Sequence, residues 1–390
     1  MNFVVDVVNF NADASCLSSL KWLKALSGKT ESLLYKWLEL YVTYKKKVVL
    51  GFPGATIADI AAFNPESINL INSYQEIFQV IIRSFSHDIA LLRTAYGFGL
   101  NLDYGIKAII KEFDNIAFFY LPPEFMCTAM QIHKLHETGI KGIFINSARF
   151  DDQTALRLPT QPYKIKGLFE TWIDCIPFDS ELTTAYLDSI HNFNAQSWNK
   201  NIQHNKPIQL AYSWRDGEST FLLPNTLERE RALLSNESDQ IKRNFLNAIY
   251  IDKITQVNET NNYLNSYPIH SFSAWIKEMK MYWYVYKVQK IEDMLTEFSQ
   301  EQRFIWLSLV NSDILSSVEK KSPVIKLRTA AGITPGNFTI YRQEKGFEGE
   351  EYLRILLDFD NKDIKKYYLT SDAPHIVKLR NRVEYLKQLN

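Results

Sequence analysis

The stretch Ile116-Ala-Phe-Phe-Tyr-Leu-Pro-Pro-Glu124 decides the fold that we predict for this chain. Its first five residues are apolar without polar alternation, which is typical of a strand buried on both faces of a sheet. Leu-Pro-Pro ends this strand, because proline has no N–H group to donate to a neighbouring strand. Glu124 is therefore predicted just beyond the carboxyl end of a central strand, before a helix over residues 125–138 that ends at Gly139.

Two interpretations of Glu124 follow from this position. In α/β folds, catalytic residues lie in the segments that connect a strand end to the next helix. Alternatively, Glu124 lies in the first helical turn because the helix dipole favours a carboxylate there. The residues alone leave both interpretations open.

Strand-like runs alternate with helical segments over at least the first 215 residues. The predicted strands cover 3–10, 47–52, 78–85, 116–120, 142–146 and 210–213. This alternation is typical of a parallel sheet with helical crossovers, either open or closed into a barrel. Further along, helical segments dominate at 271–298 and 303–318, and the aromatic side chains of the first are predicted to be core. Short strand-like runs follow at 338–341 and 352–359, before a helix over 374–389.

Polar side chains collect after the carboxyl ends of four predicted strands. They are Asn11 and Asp13, His87 and Asp88, Glu124, and finally Asp216 and Glu218. Because the strand ends of a barrel share one rim, we expect these side chains to converge there. Glu124 and Asp216 are of most interest, since glycosidic cleavage uses two carboxyl groups that flank one bond. Asp216-Gly-Glu218 also has the composition of an ordinary turn.

Two segments in this order resemble glycoside hydrolase family 57. They are Leu121-Pro-Pro-Glu-Phe125 and Trp214-Arg-Asp-Gly-Glu-Ser219. Members of that family, which include α-amylases, branching enzymes and 4-α-glucanotransferases, are retaining enzymes with an incomplete (β/α)7 barrel followed by a helical region. The resemblance implies that Glu124 is the nucleophile and Asp216 the general acid/base of a glycoside hydrolase or transglycosylase. From their places at the rim and the barrel mouth, we predict these substrate-binding residues: Asn11, Asp13, His87, Asp88, Trp214, Arg215, Glu218, His270 and Trp275.

Two other motifs of that family are replaced in this chain. Asn9-Phe-Asn-Ala-Asp13 stands where the family has His-Gln-Pro after the first strand. Arg83-Ser-Phe-Ser-His-Asp88 stands where the family has a glycine-rich segment with a glutamate. The resemblance therefore supports the barrel more strongly than it supports an α-glucan substrate.

A metal site is the main alternative at the same rim. Polysaccharide deacetylases hold a divalent ion with an Asp and two His, and Asp13 and His87 could supply part of that set. The second histidine of that class is missing, because Leu91 occupies its position. We predict no metal and no cofactor. A deacetylase-like metal-assisted hydrolase and a non-catalytic sugar-binding protein on the same barrel remain as alternatives.

Composition restricts the partners and the compartment. Lys plus Arg and Asp plus Glu number 44 each, and this balance argues against a nucleic-acid-binding protein. No apolar run is long enough to cross a bilayer, and the N-terminus lacks the basic start of a secretory signal. Cys16, Cys127 and Cys175 form no CxxC pair, which favours reduced thiols. We predict a cytoplasmic protein with a carbohydrate substrate and no nucleic-acid or membrane partner. The oligomeric state stays unknown.

The predicted domain organisation has three parts. Residues 1–250 form the catalytic (β/α)7-type barrel, residues 251–330 a helical domain packed at the barrel mouth, and residues 331–390 a small α/β extension. The predicted fold class is accordingly α/β, an incomplete TIM-like barrel with a C-terminal helical domain.

Overall fold

A computed structural model describes residues 2–14, 17–146, 162–167, 169–178, 195–204, 211–246, 255–256, 263–264, 279–317 and 335–390. The strands are β1 (Asn2–Asn9), β2 (Val48–Gly51), β3 (Phe78–Ile82), β4 (Ile116–Tyr120), β5 (Cys127–Thr128), β6 (Gly142–Asn146), β7 (Tyr163–Lys166), β8 (Trp172–Phe178), β9 (Ala211–Asp216), β10 (Ile241–Arg243), β11 (Thr255–Gln256) and β12 (Tyr263–Leu264). The helices are α1 (Ser19–Leu26), α2 (Leu33–Tyr44), α3 (Gly54–Phe63), α4 (Pro65–Ser73), α5 (Ala95–Glu112), α6 (Ala129–Glu137), α7 (Ala195–His204), α8 (Gly217–Thr220), α9 (Thr226–Ser235), α10 (Met279–Asp293), α11 (Gln300–Leu309), α12 (Ser312–Ser317), α13 (Pro335–Leu357), α14 (Lys362–Thr370) and α15 (Pro374–Lys387).

Seven parallel strands form a curled sheet in the spatial order β9, β1, β2, β3, β4, β6 and β8. Helices surround this sheet, so the predicted fold class, an incomplete (β/α)7 barrel with a helical C-terminal part, is confirmed. β7 extends the sheet beyond β8 in the antiparallel direction, and β10 pairs with the first residues of β1. β4 lies inside the sheet, paired with β3 on one side and β6 on the other, as the sequence predicts.

The two faces of β4 are both packed. Ala117 and Phe119 belong to an inner cluster made of strand residues and their connecting loops, which fills the barrel. Tyr120 belongs to a larger outer cluster that lies between the sheet and the helices. Such double burial is expected for a central parallel strand, because helices cover the sheet on its outer side.

The segment after β4 differs from the prediction of a helix over residues 125–138. Pro123–Phe125 form a short 3₁₀ turn, β5 pairs with β12, and the helix itself starts only at Ala129. The reason lies in the backbone, since Glu124 and Phe125 both have left-handed φ angles, 54° and 55°, that an α-helix cannot contain. Gly139, with φ of 77°, follows the end of the helix as predicted.

The C-terminal part is helical throughout residues 335–390, so the prediction of strands at 338–341 and 352–359 is wrong. The spacing of the buried side chains explains the error. Within the helix, Tyr352, Leu353, Ile355 and Leu356 are buried and follow one another at steps of one, two and one residues, which is the stripe of a helix rather than the alternation of a strand. The predicted domain boundaries near 250 and 330 lie outside the described residues.

The aromatic segment predicted as core is only partly buried. Its described helix is α10, in which Tyr284, Val285, Val288 and Ile291 are buried against the outer cluster. Tyr282, Trp283 and Tyr286, on the other face, are each more than half exposed. Among the described residues, no helix has both the length and the apolar character needed to cross a bilayer.

Candidate active site

Glu124 is fixed at the carboxyl end of β4 by the turn that contains it. Non-glycine residues with left-handed φ angles are uncommon, and they persist where the surroundings over-determine the backbone. Here Phe125 supplies that constraint, because its ring packs edge-on against Trp214 with ring centroids 5.0 Å apart and against Phe178 at 5.5 Å. The turn therefore holds the Glu124 side chain, which is 14% exposed, at the rim of the barrel.

Two donors converge on one carboxylate oxygen of Glu124. His87 Nε2 lies 3.2 Å from Oε1, and the Ser312 hydroxyl lies 3.3 Å from the same oxygen. Ser312 begins α12 in the helical region, and its backbone N–H also donates to the carbonyl of His87 at 2.8 Å. The helical region therefore contributes directly to the rim.

Arg83 lies behind His87. Its Nη2 is 2.6 Å from His87 Nδ1, and its side chain is almost fully buried. Burial and the Arg83 charge lower the pKa of His87 to about 3, so this imidazole is neutral near pH 7. Burial also lowers the pKa of Arg83, to about 10, which leaves it charged near neutral pH.

Asp216 ends β9 and lies beside Asn9 of β1 in the sheet register. Burial and the charge of Glu124 raise the pKa of Asp216 to about 7. The two carboxyl groups are therefore close enough to influence each other's ionisation, and Asp216 retains its proton up to near-neutral pH. Paired carboxyl groups whose surroundings differ in this way are the usual basis for separate acid and nucleophile roles.

Two further carboxyl groups lie at this rim. Glu218 Oε2 accepts a hydrogen bond from the backbone N–H of Asn11 at 3.0 Å, and burial together with the charge of Asp216 raises the pKa of Glu218 well above its usual range. Asp313 Oδ2 accepts a bond from the Asn11 side-chain amide at 2.7 Å. The structure thus places Asn11, Asp216 and Glu218 together, and it adds Asp313, which the sequence analysis did not select.

Asp13 instead lies in a buried ion cluster with the C-terminal helix. Its carboxylate accepts bonds from Lys378 Nζ at 2.7 Å and from Arg382 Nη1 at 2.7 Å. Burial opposes the ionisation of Asp13, but the charges of Arg382, Lys378 and Lys345 outweigh this effect and hold its pKa well below the usual range. Since both oxygens have cationic partners, we leave Asp13 out of the proposed site.

Asp88 and Arg215 also have buried ionic partners away from Glu124. Asp88 Oδ2 accepts a bond from Arg93 Nε at 2.9 Å, and burial raises its pKa to about 6. Arg215 binds Glu230 at 2.8 Å in the layer between sheet and helices. Side chains alternate along a strand, so Trp214 and Asp216 face the barrel interior while Arg215 faces outward. We leave these two residues out of the proposed site as well.

Two predicted substrate-binding residues, His270 and Trp275, lie outside the described residues. In the part of the chain that the structure describes, no cluster of three or more His, Cys, Asp or Glu side chains is arranged to hold a metal ion. Cys127 and Cys175 are buried thiols, whereas Cys16 lies outside the described ranges.

The segment that carries Arg83 and His87 packs very closely on α5. A Cβ atom added to Gly105 would lie 2.2 Å from the Arg83 carbonyl oxygen and 2.5 Å from the Ser84 carbonyl carbon. We expect Gly105→Ala to lower the free energy of unfolding by about 1–3 kcal/mol, because backbone would have to move. The measurement is denaturant unfolding.

Gly99→Ala on the same helix is the matched control. Its added Cβ would meet only the flexible end of the Lys134 side chain, at 3.2 Å. Alanine favours helix over glycine by about 0.5–1 kcal/mol, so this variant should keep or gain stability. Equal losses of stability in both variants would contradict the close approach at Gly105.

Comparisons with solved structures identify the same architecture in several proteins. A branching enzyme of the glycoside hydrolase family 57 type from Pyrococcus horikoshii superposes with a TM-score of 0.61 at 11% sequence identity, over 98% of this chain and 95% of that one. A family 57 branching enzyme from Thermococcus kodakaraensis, solved in complex with glucose, gives a TM-score of 0.62 at 10% identity, over 100% and 96% of the two chains. At such identities the likeness establishes the fold.

A 4-α-glucanotransferase from Thermococcus litoralis gives a TM-score of 0.55 at 13% identity. The match covers 97% of this chain but only 59% of the transferase, so the larger protein contains parts with no counterpart here. The sequence itself matches no protein-family model and no curated protein.

Proposed function

We propose that the protein is a retaining carbohydrate-active enzyme, a glycoside hydrolase or transglycosylase, with Glu124 as nucleophile and Asp216 as general acid/base. The observation that carries this proposal is the contrast between the two carboxyl groups. Glu124 accepts hydrogen bonds from His87 and Ser312, which favour the carboxylate, while burial and the charge of Glu124 keep Asp216 protonated to about pH 7.

The chemistry follows from these two states. Glu124 attacks the anomeric carbon. The bond between the anomeric carbon and the leaving oxygen breaks, and Asp216 transfers its proton to that oxygen. The product is a glycosyl ester of Glu124 and a released alcohol. Asp216, now a carboxylate, removes a proton from water or from an acceptor sugar, which attacks the ester and restores both groups.

The substrate class that we propose is an α-linked glucan. The neighbours in fold are named as branching enzymes and as a 4-α-glucanotransferase, and one of them was solved with glucose. A retaining mechanism requires the two carboxyl groups to lie about 5–5.5 Å apart across the bound sugar, because the nucleophile contacts the anomeric carbon directly. The metal-assisted alternative is less favoured, since Asp13 and His87 are held by Lys378, Arg382 and Arg83.

Covalent trapping tests the proposal. A 5-fluoro-α-glucosyl fluoride should form a glycosyl ester on Glu124 that hydrolyses slowly enough for peptide mass spectrometry to locate it. Labelling of a different carboxylate would contradict the assignment of Glu124. If the protein binds maltooligosaccharides but gives neither a labelled peptide nor turnover, the sugar-binding alternative replaces the enzyme.

The pH dependence of activity is a further prediction. Since Asp216 must carry its proton in the first step, kcat/KM for an α-glucan should fall as the pH rises through about 7, the pKa of Asp216 in the folded protein. Stability should also decrease as the pH rises, because a raised pKa means that the folded protein holds a proton that the unfolded chain releases. The free energy of unfolding contributed by Asp216 should therefore decrease between pH 3.8 and about 7. Activity that stays constant from pH 6 to 9 would contradict the role of Asp216.

A further inference from the structure

We propose that Arg83 and His87 act as a positioning pair for Glu124, in which Arg83 selects one tautomer of His87 and His87 donates its Nε2–H to the carboxylate. This inference rests on the proposed function, and it assigns a role to the segment Arg83-Ser-Phe-Ser-His-Asp88, which replaces a family motif. This role requires no contact between either side chain and the substrate.

The tautomer follows from the chemistry of the two partners. A guanidinium has only donors, so the 2.6 Å contact with Arg83 Nη2 requires a lone pair on His87 Nδ1. A neutral imidazole with that lone pair carries its proton on Nε2. This is the nitrogen that lies 3.2 Å from Glu124 Oε1, so His87 donates to the carboxylate. A protonated His87 would place two donors against each other at Nδ1.

The surrounding backbone holds His87 in this orientation. The N–H of Ser86 donates to the Asn101 side chain at 2.8 Å, and the carbonyl of His87 accepts from the N–H of Ser312 at 2.8 Å. The side chain of His87 is only 11% exposed. The backbone at Ser86 and His87 is therefore anchored on two sides, to α5 and to α12.

Keeping His87 neutral has a consequence for reactivity. A neutral donor orients the carboxylate and favours its ionised form, but it stabilises the negative charge less than a cation would. A carboxylate that is stabilised less strongly remains the better nucleophile, because nucleophilicity decreases as basicity decreases. Arg83 opposes protonation of His87 from behind, and its buried charge also interacts with Glu124, Asp216 and Glu218.

The test combines nuclear magnetic resonance with kinetics. In the wild type, ¹⁵N shifts of His87, assigned by their loss in His87→Gln, should show the Nε2–H tautomer with no titration between pH 5 and 8. In Arg83→Met, the pKa of His87 should rise because one of the two causes that lower it is removed, the imidazole should no longer keep a single tautomer, and the ¹³C-detected pKa of Glu124 should change. We expect kcat/KM to fall about 10–100-fold, as small displacements of a reacting group do, and to fall less in Arg83→Lys.

Arg229→Met is the matched control, because Arg229 lies at the surface and donates through Nε to the carbonyl of Pro224. It should leave all three measurements unchanged. A wild-type His87 that is an Nδ1–H tautomer, or an imidazolium near pH 6.5, would overturn the inference even if Arg83→Met does not fold. The spectra need no substrate. A wild type with the expected spectra but without glycoside turnover would thus contradict the proposed function alone.

Discussion

Glu124→Gln is expected to reduce kcat on an α-glucan by about 10⁴-fold or more, because removal of a nucleophile that acts within a catalytic unit has effects of that size or larger. Gln has nearly the shape of Glu and can still accept from His87 and Ser312, which contact Oε1 at 3.2 and 3.3 Å. Substrate affinity should therefore change little. Turnover would be measured by product formation, and affinity by calorimetry with a maltooligosaccharide.

Asp216→Asn distinguishes the general acid/base from the nucleophile. We expect a loss of about 10²–10⁴-fold with natural glycosides, but a much smaller loss with an aryl glycoside whose leaving group needs no proton. Glu137→Gln is the control, since this carboxylate pairs with His133 at the surface and is half exposed. Full turnover in Glu124→Gln, or equal losses in Asp216→Asn with both kinds of leaving group, would contradict the assignments.

Asp13→Asn is expected to cost about 3–5 kcal/mol of the free energy of unfolding, because it removes one partner of a buried ion pair. Asp13 contacts Lys378 and Arg382 at 2.7 Å each, and Lys345 lies 3.8 Å away. Arg382 would keep Asp59 and Lys345 would keep Glu348, both by direct contact. Lys378 would lose its close anionic partner in this cluster. Denaturant unfolding gives the measurement.

The pH dependence of this loss provides a second measurement. Burial already lowers the pKa of Lys378 to about 8, and the negative charge of Asp13 is the strongest effect that opposes this lowering. Without Asp13 the pKa should fall further, so that the unfolded chain binds a proton that the folded protein lacks. The stability of the variant should therefore increase with pH over a wider range than that of the wild type.

A surface pair provides the control for Asp13→Asn. Glu31→Gln breaks the ion pair of Lys36 and Glu31, whose side chains are 37% and 76% exposed. Exposed pairs of this kind contribute about 0–1 kcal/mol. If both variants lose the same small amount of stability, the cluster around Asp13 does not anchor the C-terminal helix.

The barrel could be predicted because its signal is local. The apolar run of β4 and the alternation of strands with helices are properties of neighbouring residues, and the shared rim follows from parallel topology. This reasoning found Asn11, His87, Glu124, Asp216 and Glu218, which the structure gathers at one rim. It could not separate them from Asp13, because Lys378 and Arg382, which bind Asp13, lie more than 360 residues away in sequence.

Other differences show which signals were available and which were absent. Extending β9 through Asp216 would have placed Arg215 on the outer face, by the simple alternation of side chains. For Arg83 a sequence signal existed, because this residue lies in the segment that replaces a family motif. Ser312 and Asp313, in contrast, follow a helix in a region without strands, so no rule about strand ends could select them. Their place at the rim depends on tertiary packing alone.

The ion cluster around Asp13 also bears on the synthesis of the chain. Asp13 is made 369 residues before Arg382, a delay on the order of tens of seconds at ordinary elongation rates. During that time the loop after β1 carries a carboxylate whose neutralising cations do not yet exist. The loop, and with it the Asn11 contacts to Glu218 and Asp313, can reach its final arrangement only late. We therefore expect ribosome-bound chains that stop before α15 to remain open to proteolysis near Asp13.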